Sequence, residues 1–437
     1  MTTPRFRRMA WALALLAWLA AACGQQGTIF QPDDTAPPPD APTSSGTLQP
    51  VPIRALVGPV RAKDGIFYDA TGPRRVIGYS DFPALRIFQD DPAEAERTLA
   101  AARAAGWQYV RIAFALAENE TDYGGYWRGA HVHPETTTKR VLVPFAKLAQ
   151  RYGIRLHLFG GYSWCVANPR GCRTDEIAFI RWMAETLRDE GLAESVVLFE
   201  WRNEYVINAP WRGGPESYSV AREAIELWKR TVGSPTTMGS PGEDDPAIAR
   251  SVRETGADVA AIDFERGLPG YQLMKRAHRA YYDGRYKRGY LGASLFATEP
   301  TGPQGVGGDV TWPLDDPQFV YGLASVYAVS GQAFTFFNGP AVRHRRPIDS
   351  TFGFYELPRL LAHIPEDIGT YVGPSWFTKG TRFVTVLAEQ WAMHAVPPRP
   401  VRAWSLVTLG GVVLDGIGPT VNPPAGWKAA IITGEWQ

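Results

Sequence analysis

Between residues 76 and 364 the chain alternates short apolar runs with longer amphipathic ones, and it does so eight times. The runs that read as strands are 76–79, 109–116, 155–160, 196–201, 236–239, 259–264, 290–298 and 333–337. Helical patterns lie between them at 91–105, 139–152, 175–190, 219–232, 245–255, 271–283 and 317–330, and a last one covers 356–364. Asp91-Pro92 supplies a cap and a first-turn proline for the first helix, and Gly106 stops it. Repeated alternation at this spacing implies parallel strands joined by crossover helices. Eight such units favour a closed barrel over an open sheet. No glycine-rich nucleotide-binding turn follows the first strand, which weighs against a dinucleotide-binding fold. The expected class is α/β, a (β/α)8 TIM barrel.

Both flanks differ from this pattern. Residues 60–79 read as a hairpin leading into the first strand, with turn chemistry at Asp64-Gly65 and Thr71-Gly72-Pro73. Short strand-like runs at 383–387, 401–409, 412–414 and 429–432, separated by Pro- and Gly-rich turns, indicate a small β appendage over 373–437, after a barrel spanning 54–372. Residues 24–53 are rich in Pro, Asp, Thr, Ser and Gln and read as an extended tether.

Residues 1–23 carry an export signal. Arg5, Arg7 and Arg8 precede an apolar run, 9–22, that is short for a membrane span and normal for a signal peptide. Ala20-Ala21-Ala22 leads directly to Cys23. This resembles the lipobox of bacterial lipoproteins, in which the cysteine is lipidated, although Leu19 stands one position earlier than the usual leucine. The resemblance implies an exported protein held at a membrane through Cys23, in the periplasm or at the cell surface. The other reading is a secretory signal cut after Ala-x-Ala, with Cys23 incidental. Two cysteines remain, Cys165 and Cys172, in a Pro- and Gly-containing segment where a disulfide is plausible in an oxidising compartment.

Composition excludes some partners. With 45 basic and 44 acidic residues and a net charge of +1, nothing suggests nucleic acid. His131 and His133 stand two apart beside Pro134 and read as solvated loop histidines; with no second Cys or His pair at ligand spacing no metal is expected, and no other cofactor is expected either.

The chemistry gathers at two strand ends. Glu204 follows the fourth strand in Phe199-Glu-Trp-Arg-Asn-Glu204, and Glu299 ends the seventh in Phe296-Ala-Thr-Glu299-Pro. Barrel enzymes keep their catalytic groups at the carboxyl ends of the strands, and glycoside hydrolysis needs two carboxyl groups. The pair is three βα units apart, which would set them facing each other across the barrel mouth. Arg111, on the second strand, must be paired, because burying it alone is costly. Glu200 could point to the other side of its strand and pair within the barrel. His157, in Leu-His-Leu of the third strand, is either a core histidine or part of the site lining. Trp164 and Trp211 lie in loops on the mouth side and are candidates to stack on sugar rings, the other reading being core and rim packing.

These features resemble the clan A glycoside hydrolases, the cellulase and β-mannanase-like barrels. The likeness rests on the entry hairpin, on Asn203-Glu204 after strand four, on Thr298-Glu299 at strand seven and on Arg111. It implies a carbohydrate substrate, Glu204 as general acid and base, Glu299 as nucleophile, Arg111 beside that nucleophile and Asn203 bonded to the sugar hydroxyl next to the reacting carbon. Retention would place the two carboxyl groups about 5 to 5.5 Å apart. Strand six reads Asp263-Phe-Glu-Arg266 where the clan has His or Tyr, and Phe337 on strand eight stands where the clan places a Trp. Those departures keep a rival reading: a barrel that binds carbohydrate or a surface partner without cleaving it.

Overall fold

A computed structural model of the chain describes residues 53–63, 66–115, 138–160, 169–203, 205–208, 214–241, 245–262, 294–297, 333–336, 347, 349, 354–364, 370–373, 376–388, 397–408, 413–417 and 429–437. Three short antiparallel strands come first: β1 (Arg61–Lys63), β2 (Ile66–Asp69) and β3 (Gly72–Arg74). Asp69 holds this entry together. Its carboxylate accepts from the Val57 and Thr71 amides, the Thr71 hydroxyl and Arg74 Nε, at 2.7 to 3.0 Å.

The eight strands of the alternating region form one parallel sheet. They are β4 (Val76–Ser80), β5 (Tyr109–Ala115), β6 (Arg155–Gly160), β7 (Val196–Glu200), β8 (Thr236–Thr237), β9 (Val259–Ile262), β10 (Ser294–Ala297) and β11 (Ala333–Phe336). The order β8-β7-β6-β5-β4-β11-β10-β9 pairs the first of them with the last and leaves β8 and β9 as the two ends of the curled sheet. At the remaining seam, between β8 and β9, Asp258 N–H donates to Thr236 O (3.0 Å). The Asp258 carboxylate accepts from the Thr236 amide (3.1 Å) and hydroxyl (2.9 Å). Asp258, just before β9, is thus tied to β8 through both its amide and its carboxylate.

The amino-terminal end of the cylinder is filled. Val76, Tyr109, Val259 and Ala333, at the starts of their strands, pack with Leu198 and with Leu56, Val60 and Phe67 from the entry segment. A floor of this kind leaves the carboxyl ends of the strands as the open face.

Among the described residues the α-helices are α1 (Ala84–Asp90), α2 (Pro92–Ala105), α3 (Val143–Arg151), α4 (Pro169–Asp189), α5 (Tyr205–Asn208), α6 (Pro215–Thr231), α7 (Asp245–Thr255) and α8 (Glu356–Leu361); a π-helical turn, Thr138–Leu142, leads into α3. In α2 the Asp91 side chain accepts from Glu94 N–H, and Gly106 ends the helix at φ 100°. Its buried Ala95, Leu99, Ala102 and Ala105 recur at helical spacing against the barrel. One helix and several boundaries differ from the sequence reading; α6, for example, starts at Pro215 rather than 219. α1 has no sequence signature, since seven residues between Pro83 and Asp91 show less than two turns and no capping side chain. α4 starts at Pro169 rather than near 175, because a proline at the first turn has no helical amide to lose. The expected helices 271–283 and 317–330 lie outside the described residues.

The carboxyl-terminal sheet is antiparallel, in the order β12-β13-β14-β17-β15-β16. Its strands are β12 (Thr370–Gly373), β13 (Trp376–Lys379), β14 (Arg382–Ala388), β15 (Val401–Thr408), β16 (Val413–Ile417) and β17 (Ala429–Trp436). One face sends Val384, Val407 and Ile431 into the barrel's outer core. The other gathers Trp376, Phe383, Trp404 and Trp436. Each of two rings there lies over a neighbouring glycine: a Cβ on Gly416 would meet Trp404 at 2.0 Å, and one on Gly434 would meet Phe383 at 2.5 Å.

Candidate active site

Register across β4 and β5 fixes which side chains face inward. Gly78 pairs with Tyr109 and Ser80 with Arg111. The Tyr109 ring fills the place of a Gly78 side chain (2.3 Å from an added Cβ). Its hydroxyl donates to Phe334 O at 2.7 Å. Arg111 is the next inward residue along β5. Its Nε donates to Glu200 Oε2 (3.1 Å), and its Nη2 reaches Glu200 Oε1 (3.1 Å) and Oε2 (2.9 Å). The same Nη2 donates to Asn203 Oδ1 at 2.8 Å. Above this fork the guanidinium lies 4.3 Å from the Phe159 ring centre and 5.2 Å from that of Phe82. On β6, His157 Nε2 sits 2.9 Å from Glu200 Oε2. Arg111, His157 and Glu200 are fully buried.

Three charges or potential charges in so small a dry volume set one another's protonation. Burial works against ionising Glu200, but Arg111, followed by the hydrogen bond and charge of His157, outweighs it and holds the carboxyl below its ordinary range. Burial lowers His157 to about 4, and the Arg111 charge adds to that effect, while Glu200 opposes it. At neutral pH the cluster is therefore Arg⁺, Glu⁻ and neutral imidazole.

Beyond β7 the backbone continues in extended register without side-chain room. Trp201 N–H donates to Thr237 O (2.9 Å), Arg202 N–H to Met238 O (3.3 Å) and Asn203 N–H to Gly160 O (2.8 Å). A Cβ on Gly160 would lie 2.2 Å from Trp201 O, and one on Gly239 (φ 107°) 1.7 Å from Arg202 O. Two glycines therefore let the strands on either side close on residues 201–203. Outside the barrel wall, Arg202 Nη2 donates to Glu176 Oε2 of α4 at 2.8 Å, with both side chains nearly inaccessible.

A further carboxyl lies at the end of β4. Asp81 is 7% exposed, its amide donating to Arg111 O at 2.9 Å. Burial, with a smaller push from Glu94, raises its carboxyl to about 7.

Of the residues read from sequence, the structure brings Arg111, His157 and Asn203 into one cluster. Glu200, taken from sequence only as a partner within the barrel, is its hub: the period-two alternation of Leu198 and Glu200 on β7 turns that carboxylate inward. Glu204, Glu299, Trp164, Trp211, Phe337, Cys23 and Cys165 lie outside the described residues. Cys172 falls on α4, where a loop was expected. No disulfide joins described residues. Among them no group of His, Cys, Asp and Glu is arranged to hold a metal ion.

No protein-family model matches the chain, and no curated protein matches it. Solved structures do. A glycoside hydrolase family 5 protein from Bacteroides vulgatus superposes with a TM-score of 0.59 at 10% identity, over 87% of this chain and 95% of that one. A second glycoside hydrolase superposes at 0.57 and 10% identity, over 87% and 98%. Of an exo-β-1,4-mannosidase from Opitutaceae bacterium strain TAV5 the chain spans 61%, at 12% identity and a TM-score of 0.49. At such identities the likeness establishes the fold, the (β/α)8 barrel that the sequence resemblance implied.

Proposed function

We propose that this chain is a retaining glycoside hydrolase acting on a β-linked oligo- or polysaccharide. The observation that carries the reading is the Arg111–Glu200–Asn203 cluster, built from β5 and the carboxyl end of β7, on a barrel fold shared with glycoside hydrolases. Asn203 precedes Glu204 directly, and Glu299 follows the end of β10 by two residues. With Asn203 Oδ1 engaged by Arg111, its amide nitrogen is the group that donates to the sugar hydroxyl beside the reacting carbon.

In the first step the Glu299 carboxylate attacks the anomeric carbon as the bond to the leaving oxygen breaks and Glu204 gives that oxygen its proton. In the second, Glu204 takes a proton from water, the hydroxyl attacks the anomeric carbon and Glu299 leaves as carboxylate. To act as acid Glu204 must hold its proton near neutral pH, which an apolar wall supplied by its sequence neighbours Trp201 and Tyr205, both fully buried, would favour. Purified protein is expected to hydrolyse members of a panel of aryl β-glycosides, β-glucans and β-mannans, with activity lost in Glu204→Gln and Glu299→Gln. Binding that survives both changes, with no turnover by the parent, would instead mark a carbohydrate-binding barrel.

The amino terminus adds the location. We infer that Cys23 carries lipid and that residues 24–53 hold the barrel off an envelope membrane. Cys23→Ser is expected to move the protein from the membrane to the soluble fraction; unchanged partitioning would refute the anchor.

A further inference from the structure

The segment between β7 and the proposed acid has an anchor of its own outside the barrel. Arg202 is 1% exposed and Glu176 3%. Their ion pair, 2.8 Å long, joins the strand end to the second turn of α4, with the Arg202 guanidinium 5.6 Å from the Trp201 ring centre. A buried pair of this kind costs desolvation that its attraction only about repays, and apolar replacements are often as stable. Stability of the fold therefore does not account for it. Its location does. The three amides of residues 201–203 already bond to β8, its extension and β6, and Arg202 O is pressed against Gly239. Those contacts hold the backbone in the plane of the sheet; the Arg202 side chain adds a hold perpendicular to it, out to the helix layer. Asn203 is the next residue and Glu204 the one after.

We infer that Arg202 and Glu176 are a positioning pair, which fixes the peptide carrying Asn203 and Glu204 in the geometry the reaction needs. Neither touches substrate. The inference rests on the proposed glycosidase reading for its kinetic consequence, but its structural consequence, a fixed Asn203 side chain, does not.

The test uses full-length protein with selectively ¹⁵N-labelled asparagine, the Asn203 side-chain amide being assigned through Asn203→Ala. Arg202→Met is expected to shift and broaden that amide signal, and Arg202→Lys to leave it near its original position. On an aryl β-glycoside cleaved by the parent, Arg202→Met is expected to lower kcat ten- to hundredfold with KM within threefold, and Arg202→Lys to restore most of it. The double variant Arg202→Met, Glu176→Met removes both buried charges and is expected to fold; its kcat stays low and its Asn203 signal stays shifted. Full recovery of kcat and signal in that double variant would reduce the pair to a structural one and overturn the inference, as would an unaltered Asn203 signal in folded Arg202→Met. A parent that cleaves nothing contradicts the proposed function alone, and the Asn203 signal then decides the pair by itself.

Discussion

Arg111 and Glu200 meet through three hydrogen bonds of 2.9 to 3.1 Å inside the barrel, both with no exposed surface. The pair joins the second barrel strand to the fourth across the interior, and the remaining reach of Arg111 Nη2 goes to Asn203. The orientation of the Asn203 side chain is thus set by a charge pair beneath it.

Removing one member of this pair strands the other as a buried charge. Glu200→Met is expected to cost about 3–5 kcal/mol of stability, read as a lower urea midpoint. The double variant Arg111→Met, Glu200→Met is expected to cost less than Glu200→Met alone. If the single change proves the milder of the two, Arg111 finds its compensation elsewhere.

His157 is expected to stay neutral down to about pH 4, so its imidazole NMR signals remain flat across the range where an ordinary histidine near 6.5 titrates. In the unfolded chain the ring takes its proton near 6.5, in the folded one only near 4. Between these values the unfolded state binds more protons, and folding stability falls as pH drops through that window. His157→Gln is expected to flatten that slope. A midpoint between 6 and 7 for His157 would show that water reaches the Glu200 layer.

Asp81 acts in the opposite sense. Its carboxyl ionises near its ordinary 3.8 when unfolded and near about 7 when folded. The folded state therefore holds the extra proton over that interval, and stability falls as pH rises through it. Asp81→Asn is expected to raise Tm at pH 8 by several degrees relative to the parent, and to change it much less at pH 4. An equal shift at both pH values would remove ionisation as the cause.

Gly239 tests the backbone side of the site. A methyl group there would lie 1.7 Å from Arg202 O, at a φ of 107° that side chains rarely adopt. Gly239→Ala is expected to displace residues 202–203 and abolish at least nine-tenths of the proposed glycosidase activity. Gly256, at φ 70° with nothing near an added Cβ, serves as the control. Its alanine variant is expected to keep full activity while losing some stability.

Much of this architecture is legible in the chain, because the barrel is written in local signals. Asp91, Pro92 and Gly106 bound α2 where the residue types say they should, and strands such as 155–160 match to the residue. What sequence does not show is what depends on distant partners. Nothing near Glu200 says that its carboxylate meets Arg111, 89 residues earlier, rather than Arg202 two residues later. Arg202 itself turns outward to Glu176. The β12 and β13 strands were missed for a related reason: Thr370–Gly373 and Trp376–Lys379 are four residues each, too short for a period to declare itself. The α4 start is hidden in the sequence because Pro169 and Gly171 look like loop residues unless the proline is given the first helical turn.

The most direct test of the account is covalent trapping. The parent is incubated with 2-deoxy-2-fluoro aryl β-glucoside and β-mannoside, whose slowed second step lets a glycosyl-enzyme accumulate, and intact mass and peptide mass are recorded. The account predicts a gain of one fluoroglycosyl unit, carried on the peptide containing Glu299 and absent in Glu299→Gln. Turnover of the unmodified glycosides with inversion at the anomeric carbon, or a label on any other carboxylate, would contradict it.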